Sequence, residues 1–187
     1  MNTALFRGEL VRLSAPDPEA DAEAFARWSN DSEYMRLLDS LPARPESARQ
    51  FTQNLTKWLA SHDCLFAVRA LADDRLLGFV ELDGLRWVHG DAWVGIGLGE
   101  REYWGKGYGT DAMRVILRYA FTELNLYRVS LDVFEYNTRA IRAYEKAGFT
   151  VEGRMREALH RNGRLWDLIY MGVLRDGWVK VARAAVS

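Results

Sequence analysis

The first third of the chain carries one strand pattern followed by three helical patterns. Glu9 to Leu13 alternates apolar and polar residues, which predicts a strand. Pro16-Asp-Pro18 ends that strand and predicts a helix capped at Asp17, with Phe25 and Trp28 on one face. A short helix is predicted from about Asn30 to Leu38, and two prolines separate it from a third helix. The apolar stripe of this third helix consists of Phe51, Leu55, Trp58 and Leu59.

The middle of the chain changes to the alternating pattern of strands. Three strands are predicted, at Cys64 to Ala70, Leu76 to Leu82 and Ala92 to Leu98. Asp73-Asp74 and Asp83-Gly84 separate them as turn signals. Short connections of this kind predict an antiparallel meander.

The last part of the chain alternates helices with strands. A helix runs to about Leu124, and a strand around Leu131 follows it. Asn137 caps a further helix that ends at Gly148. Strands at about 149–159 and 164–174 are joined by Asn162-Gly163, a hairpin signal. We therefore expect residues 1–187 to form a single mixed α/β (α+β-like) domain, with a mostly antiparallel central sheet flanked by helices.

Composition narrows the class of protein. The 187 residues are half apolar, which is enough for a full core, and 25 basic residues against 26 acidic ones give no basic field for nucleic acid. The chain shows neither a secretory signal nor an apolar run that could cross a membrane, so we expect a cytoplasmic protein. Cys64 is the only cysteine, and His62, His89 and His160 are far apart, so no metal site is predicted.

The segment from Arg101 to Gly109 carries three glycines in five positions and opens a helix. Bare backbone N–H groups at a helix N-terminus bind phosphate. Several phosphate ligands are compatible with this loop. Gly107 to Ala112 matches the dinucleotide fingerprint, with Asp132 as a candidate ribose acid, although seven residues separate it from the preceding strand. A P-loop is disfavoured because Lys106 is followed by Gly107 rather than by a hydroxyl residue. A glycine corner without any ligand is the remaining interpretation.

Asn137 and Tyr144 lie seven residues apart on the same helix, so both side chains project from one face, about 10 Å apart. Together with the glycine loop, this arrangement resembles the GNAT (Gcn5-related) N-acetyltransferase family, in the branch of the ribosomal-protein N-terminal acetyltransferases and spermidine acetyltransferases. The residues that carry the resemblance are Trp104 to Ala112, Asn137, Ala140, Tyr144, Gly148, Phe149, Glu152 to Arg154, Gly163, Arg164, Asp167 and Met171.

The resemblance implies acetyl-CoA as the donor and a direct transfer to a primary amine, without a metal. In that family the strand before the loop splays from its neighbour and pairs with the pantetheine arm, which implicates Gly97, Leu98 and Gly99. The loop would hold the pyrophosphate, and Asn137 would bind the pantetheine arm. Trp104 departs from the Gln or Arg that often opens this loop. The loop residues so assigned are Trp104, Gly105, Lys106, Gly107, Tyr108 and Gly109.

Tyr144 resembles the general acid of the family. Because a phenol with a pKa near 10 is a weaker acid than a thiol near 8.5, we expect it to donate a hydrogen bond to the departing thiolate. Glu81, Asp91 or a water relay would accept the proton of the amine, and the sequence does not separate them. The acceptor amine stays open: a small molecule or a peptide N-terminus. An acyl-CoA-binding regulatory module is the alternative function, and the resemblance leaves room for a homodimer.

Overall fold

A computed structural model describes residues 5–61 and 64–184. The predictions made for the first four residues and for His62 lie outside these ranges. Within the described residues the elements follow the predicted order, with one additional helix at the end. Their bounds are β1 Val11–Ser14, α1 Ala22–Ser29, α2 Ser32–Leu38, α3 Ala48–Ser61, β2 Cys64–Ala70, β3 Leu76–Arg86, β4 Asp91–Leu98, α4 Tyr108–Thr122, β5 Arg128–Phe134, α5 Thr138–Ala147, β6 Thr150–Arg161, β7 Arg164–Leu174 and α6 Arg175–Ala184.

The strands of the described residues form one seven-stranded sheet in the order β1-β2-β3-β4-β5-β7-β6. Neighbouring strands are antiparallel except β4 and β5, which are parallel. A dinucleotide-binding fold needs a doubly wound parallel sheet, so the dinucleotide alternative is wrong. The mixed, mostly antiparallel sheet that the sequence predicted is confirmed.

The parallel pair separates soon after it begins. Asp91–Trp93 of β4 pair with Arg128–Ser130 of β5, and beyond these three pairs the strands diverge. β3 continues to pair with β4 as far as Leu98. The second half of β4 therefore has a partner on one side only, and the splay expected from the resemblance is present.

Helices cover both faces of the sheet. On one face α4 buries Met113, Ile116 and Leu117 against the strands, as its predicted stripe requires. On the other face α1–α3 pack over β2 and β3 around Phe25, Trp28 and Phe79. The opening between β4 and β5 therefore lies between two packed layers.

Three predicted boundaries move for identifiable reasons. β1 begins at Val11 rather than Glu9 because the Asp111 carboxylate accepts the N–H groups of Glu9 and Leu10. The helix predicted from Pro18 begins at Ala22 because Asp17 caps a separate turn, accepting the N–H groups of Glu19 and Ala20. Asp83-Gly84 is an irregularity inside β3 rather than its end, since the register shifts between Asp83 and Arg86.

Local signals at the other end of the chain are confirmed. The Asn137 side chain caps α5, and Gly148 ends it in the left-handed conformation, with φ of 107°. Asn162 and Gly163 both have positive φ, at 55° and 69°, as a two-residue hairpin turn requires. The sequence patterns missed α6, which packs through Trp178 against Phe121 of α4.

Candidate active site

The open edge of β4 is the first component of the site. The Gly99 N–H donates to the Leu77 carbonyl at 2.9 Å, which sets the alternation along this antiparallel pair. In that alternation the N–H and C=O groups of Gly97 also point toward β3, whereas those of Ile96 and Leu98 point into the gap. Of the three residues predicted to pair with a ligand, only Leu98 is so oriented, and Ile96 joins it.

Glycine is required for close packing in β3 and directly after the end of β4. A Cβ atom on Gly99 would lie 2.1 Å from the Trp28 ring, and one on Gly78 would lie 1.8 Å from the Gly97 carbonyl oxygen. Gly97 and Leu98 line the central cleft, but Gly99 is not among its lining residues. Gly99 thus serves the packing of α1 against the strand end.

The glycine loop forms the second component. After a 3₁₀ turn at Arg101–Tyr103, Gly105 and Gly107 adopt φ of 73° and 93°, and α4 begins at the next residue. Gly105, Gly107 and Gly109 all line the cleft, whereas Lys106 and Tyr108 do not. The first N–H groups of a helix lack partners within it, so the loop presents main-chain donors without β-carbons in front of them.

Trp104 links the loop to the open strand. Its indole Nε1 donates to the Leu98 carbonyl at 2.7 Å, one of the main-chain groups in the gap. The Arg139 guanidinium lies 3.6 Å from the centre of the Trp104 ring. Trp104, at which the sequence departs from the resemblance, therefore links the loop to β4 and α5.

Asn137 and Tyr144 both line the cleft from α5. Asn137 is buried; its Oδ1 accepts the Ala140 N–H at 3.2 Å, and its Nδ2 donates to the Leu37 carbonyl at 3.5 Å. The capping role of Asn137 is thus observed, and its role toward a ligand stays a prediction. Tyr144 is half-buried, and burial raises the pKa of its phenol, with the negative charge of Asp132 adding to the effect. The phenol is therefore a protonated donor.

These components border a single cleft of about 980 Å³. Beyond the β4–β5 gap its walls are aromatic on the side of α1–α3. The aromatic residues that line this part are Phe25, Tyr34, Phe51, Trp58, Phe79 and Trp93. Such a surface suits an organic ligand and excludes much of the water.

Charges are distributed unevenly around the cleft. Helices α4 and α5, which flank the glycine loop, contribute the basic residues Arg114, Arg139, Arg142 and Lys146. Asp111 of α4 also lines the cleft, but its carboxylate accepts three main-chain N–H groups. The other end carries Glu81 and Asp83 from β3. One end is therefore suited to an anion and the other to a cation.

The two candidate bases, Glu81 and Asp91, have different surroundings. Glu81 lines the cleft, where it accepts a hydrogen bond from Trp58 Nε1 at 2.9 Å. Asp91 lies at the start of β4, outside this cleft, and pairs through both carboxylate oxygens with Arg86. That ion pair lowers the pKa of Asp91, which makes it a poor base. The geometry therefore favours Glu81.

Sequence reasoning missed two groups of cleft residues. The basic residues of α5 lie at the helical spacing 139, 142 and 146, a signal that was available in the sequence. Tyr34 of α2 also lines the cleft. Its buried hydroxyl has no hydrogen-bond partner among the described residues, a feature that is visible only in three dimensions.

Comparison with known proteins gives a consistent result. The family described as Acetyltransferase (GNAT) domain matches residues 11–150. The SPbeta prophage-derived N-acetyltransferase YokL of Bacillus subtilis is 30% identical over 176 residues, covering 94% of this chain and 96% of that protein. The putative ribosomal N-acetyltransferase YdaF of the same organism is 33% identical over 137 residues, covering 72% and 74%.

Solved structures agree with these relatives. The spermidine N-acetyltransferase from Vibrio cholerae, in complex with CoA and spermine, superposes with a TM-score of 0.79 at 28% identity. The match covers 90% of this chain and 98% of that one. Within residues 5–61 and 64–184, no helix combines the length and the apolar character that crossing a membrane requires.

Proposed function

Because this chain belongs to the GNAT acetyltransferase family, we propose that it transfers the acetyl group of acetyl-CoA directly to a primary amine. Its relatives are N-acetyltransferases, in agreement with the predicted class of enzyme. One observation carries the proposal: a single cleft joins the glycine loop, the open edge of β4 and an acidic, aromatic pocket. A thioester in the gap would meet an amine from that pocket.

The donor would occupy the basic end of the cleft. The pyrophosphate would lie on the N–H groups that follow Gly107, where the helix dipole favours an anion and Arg142 and Lys146 add positive charge. The pantetheine arm would run along β4 and use the main-chain groups of Ile96 and the N–H of Leu98, since the Leu98 carbonyl already accepts from Trp104. The CoA bound in the Vibrio cholerae relative supports this choice of ligand.

The reaction would proceed in one direct displacement. Glu81, directly or through water, accepts a proton from the ammonium group, and the nitrogen lone pair then forms a bond to the thioester carbonyl carbon. The carbonyl electrons move to oxygen, which a main-chain N–H of the open strand stabilises. The electrons on oxygen then re-form the carbonyl double bond as the carbon–sulfur bond breaks, and CoA leaves with the sulfur electron pair. The nitrogen loses one proton and the sulfur gains one, so the products are the amide and the free thiol. Tyr144 donates a hydrogen bond to the developing thiolate.

The acceptor is proposed only as a class. Glu81 and Asp83 favour a cation, and the aromatic walls favour an alkyl chain or ring attached to it. A polyamine, a peptide N-terminus and another small amine all satisfy these conditions; relatives named for spermidine and for ribosomal proteins represent the first two. A cytoplasmic location and a homodimer stay predictions.

Thermal denaturation tests the donor. A ligand present at 100 times its dissociation constant stabilises a protein by about 2.7 kcal/mol. Acetyl-CoA and CoA should raise the melting temperature, whereas NADPH and ATP should not. A shift with NADPH alone would contradict the proposal.

Release of free thiol from acetyl-CoA tests turnover across n-butylamine, putrescine, spermidine and an alanyl peptide. Tyr144→Phe should lower kcat by about 100-fold or more while CoA binding stays within about twofold. Tyr119→Phe, which removes a phenol hydroxyl outside the cleft, serves as the matched control. Binding of acetyl-CoA without turnover of any amine would point to a regulatory module instead.

A further inference from the structure

Tyr34 carries a buried hydroxyl that has no hydrogen-bond partner within the part of the chain that the structure describes. The residue is only 5% exposed, and it lines the central cleft from α2. Buried polar groups almost always find a partner, and an unpaired one weakens the folded state. A hydroxyl kept unpaired at the wall of a cleft is therefore explained if a ligand completes its hydrogen bonds.

The hydroxyl lies against the open strand. A Cβ atom on Gly97 would be 2.8 Å from the Tyr34 hydroxyl oxygen, and one on Gly95 would be 2.9 Å from Glu81 Oε1. Residues two apart in a strand point to the same face and lie about 6–7 Å apart. The Tyr34 hydroxyl and the Glu81 carboxylate therefore stand side by side above β4, on the face covered by α1–α3.

A nitrogen held between these two groups can donate one hydrogen to the Tyr34 hydroxyl and another to Glu81, directly or through a water, with about 2.9 Å for each direct hydrogen bond. The neighbours of Tyr34 at Gly97 are apolar, Leu38 Cδ1 and Phe79 Cε1, so they offer no competing partner. Burial raises the pKa of the Tyr34 phenol, with the charge of Asp31 contributing less, so the hydroxyl stays neutral.

We infer that the Tyr34 hydroxyl oxygen accepts a hydrogen bond from the attacking nitrogen of the acceptor, opposite Glu81. This inference rests on the proposed acetyl transfer. Glu81 takes one proton from the ammonium group, and Tyr34 holds a remaining N–H, which leaves the freed lone pair to form the bond to the thioester carbon. Tyr34 neither gains nor loses a proton in this step, so it is a substrate-binding residue that orients the nucleophile.

The inference predicts that Tyr34→Phe lowers the activity of the protein without lowering its stability. Tyr34→Phe keeps the ring in the core formed with Trp28 and Phe79 but removes the unpaired hydroxyl. The variant should melt at the same temperature as the wild type or a higher one, and it should acetylate amines more slowly. A residue with a merely structural role would lose both properties together.

The decisive measurement uses the amine of the four-member panel that the wild-type protein acetylates fastest. Its dissociation constant is measured by calorimetry on the complex with CoA, where no reaction occurs. Because a hydrogen bond to a charged group contributes about 1.5–3 kcal/mol, Tyr34→Phe should weaken amine binding by about 10- to 100-fold and leave CoA binding unchanged. Tyr119→Phe should change neither constant.

Two results would overturn the inference in different ways. A lower kcat with unchanged amine binding would place the Tyr34 hydroxyl on the thioester rather than on the nucleophile. Unchanged kcat and unchanged binding would leave the hydroxyl without a function in the cleft. If the wild-type protein acetylates none of the four amines, the proposed function itself fails, and the inference falls with it.

Discussion

Gly109 offers a test that separates ligand binding from folding. It is the second residue of α4, its φ is not in the left-handed region, and a Cβ atom there would lie 3.5 Å from Leu98 Cδ1, an ordinary contact. Alanine is therefore tolerated, and it should stabilise the helix by about 0.5–1 kcal/mol. For a chain of this size that gain raises the melting temperature by about 1–4 °C. The same methyl group would stand between the first N–H groups of α4 and a phosphate.

Loss of one hydrogen bond to a charged group costs about 1.5–3 kcal/mol, so Gly109→Ala should weaken CoA binding by about 10- to 100-fold. Calorimetry with CoA and thermal denaturation without it measure the two effects on one sample. Gly177→Ala is the matched control, because Gly177 lies in α6 with no atom within 4 Å of its Cβ position. It should gain stability and bind CoA normally. A Gly109→Ala variant with wild-type CoA affinity would refute the assignment of the loop to the pyrophosphate.

Two further predictions concern polar interactions next to the glycine loop. Asp111→Ala should lower the free energy of unfolding by about 3–5 kcal/mol in urea titrations, because three N–H groups, including that of buried Val11, lose their acceptor. A loss below about 1 kcal/mol would show that these groups find other partners. Asp31 is paired with Arg101, which lowers the pKa of Asp31 to about 2 from its ordinary 3.8. A lowered pKa stabilises the fold above pH 3.8, and this contribution disappears as the pH falls through 2. Between about pH 5 and pH 2 the wild type should lose about 1 kcal/mol more than Asp31→Asn, a value reduced for solvent screening; equal losses would contradict this.

Helix ends and turns that depend on a few neighbouring residues could be predicted from capping and turn signals in the sequence. Asn137, Gly148 and Asn162-Gly163 fix backbone geometry through their own side chains or the lack of one, so their roles could be inferred from the sequence. α6 could not be predicted, because it depends on the packing of Trp178 against Phe121, which lies far away in the chain. The start of β1 depends on Asp111, about a hundred residues later.

The site was predictable as a set of residues but not as an arrangement. Glu81 and Asp91 look equivalent in the sequence, and only the register of the hairpin brings Arg86 onto Asp91 and leaves Glu81 in the cleft. Gly97 and Gly99 were assigned to the ligand through the family resemblance, yet the pairing with β3 directs their main-chain N–H and C=O groups away from the gap. The direction of these groups depends on which opposed residue pairs of β3 and β4 are hydrogen-bonded, and the sequence alone does not reveal those pairs.

The splay between β4 and β5 places an edge strand in the interior of a sheet. An exposed edge is a template on which another polypeptide can add a strand, and proteins usually protect it with charges, prolines or bulges. Here neighbouring elements protect the edge. β5 pairs with β4 up to Ser130 and so closes one end of the gap, and helices pack on both faces of the sheet. A strand added along Ile96 and Leu98 would bring side chains onto both faces of the sheet. Because α4 and α1–α3 already cover those faces, the packed layers protect this edge in place of charges or prolines.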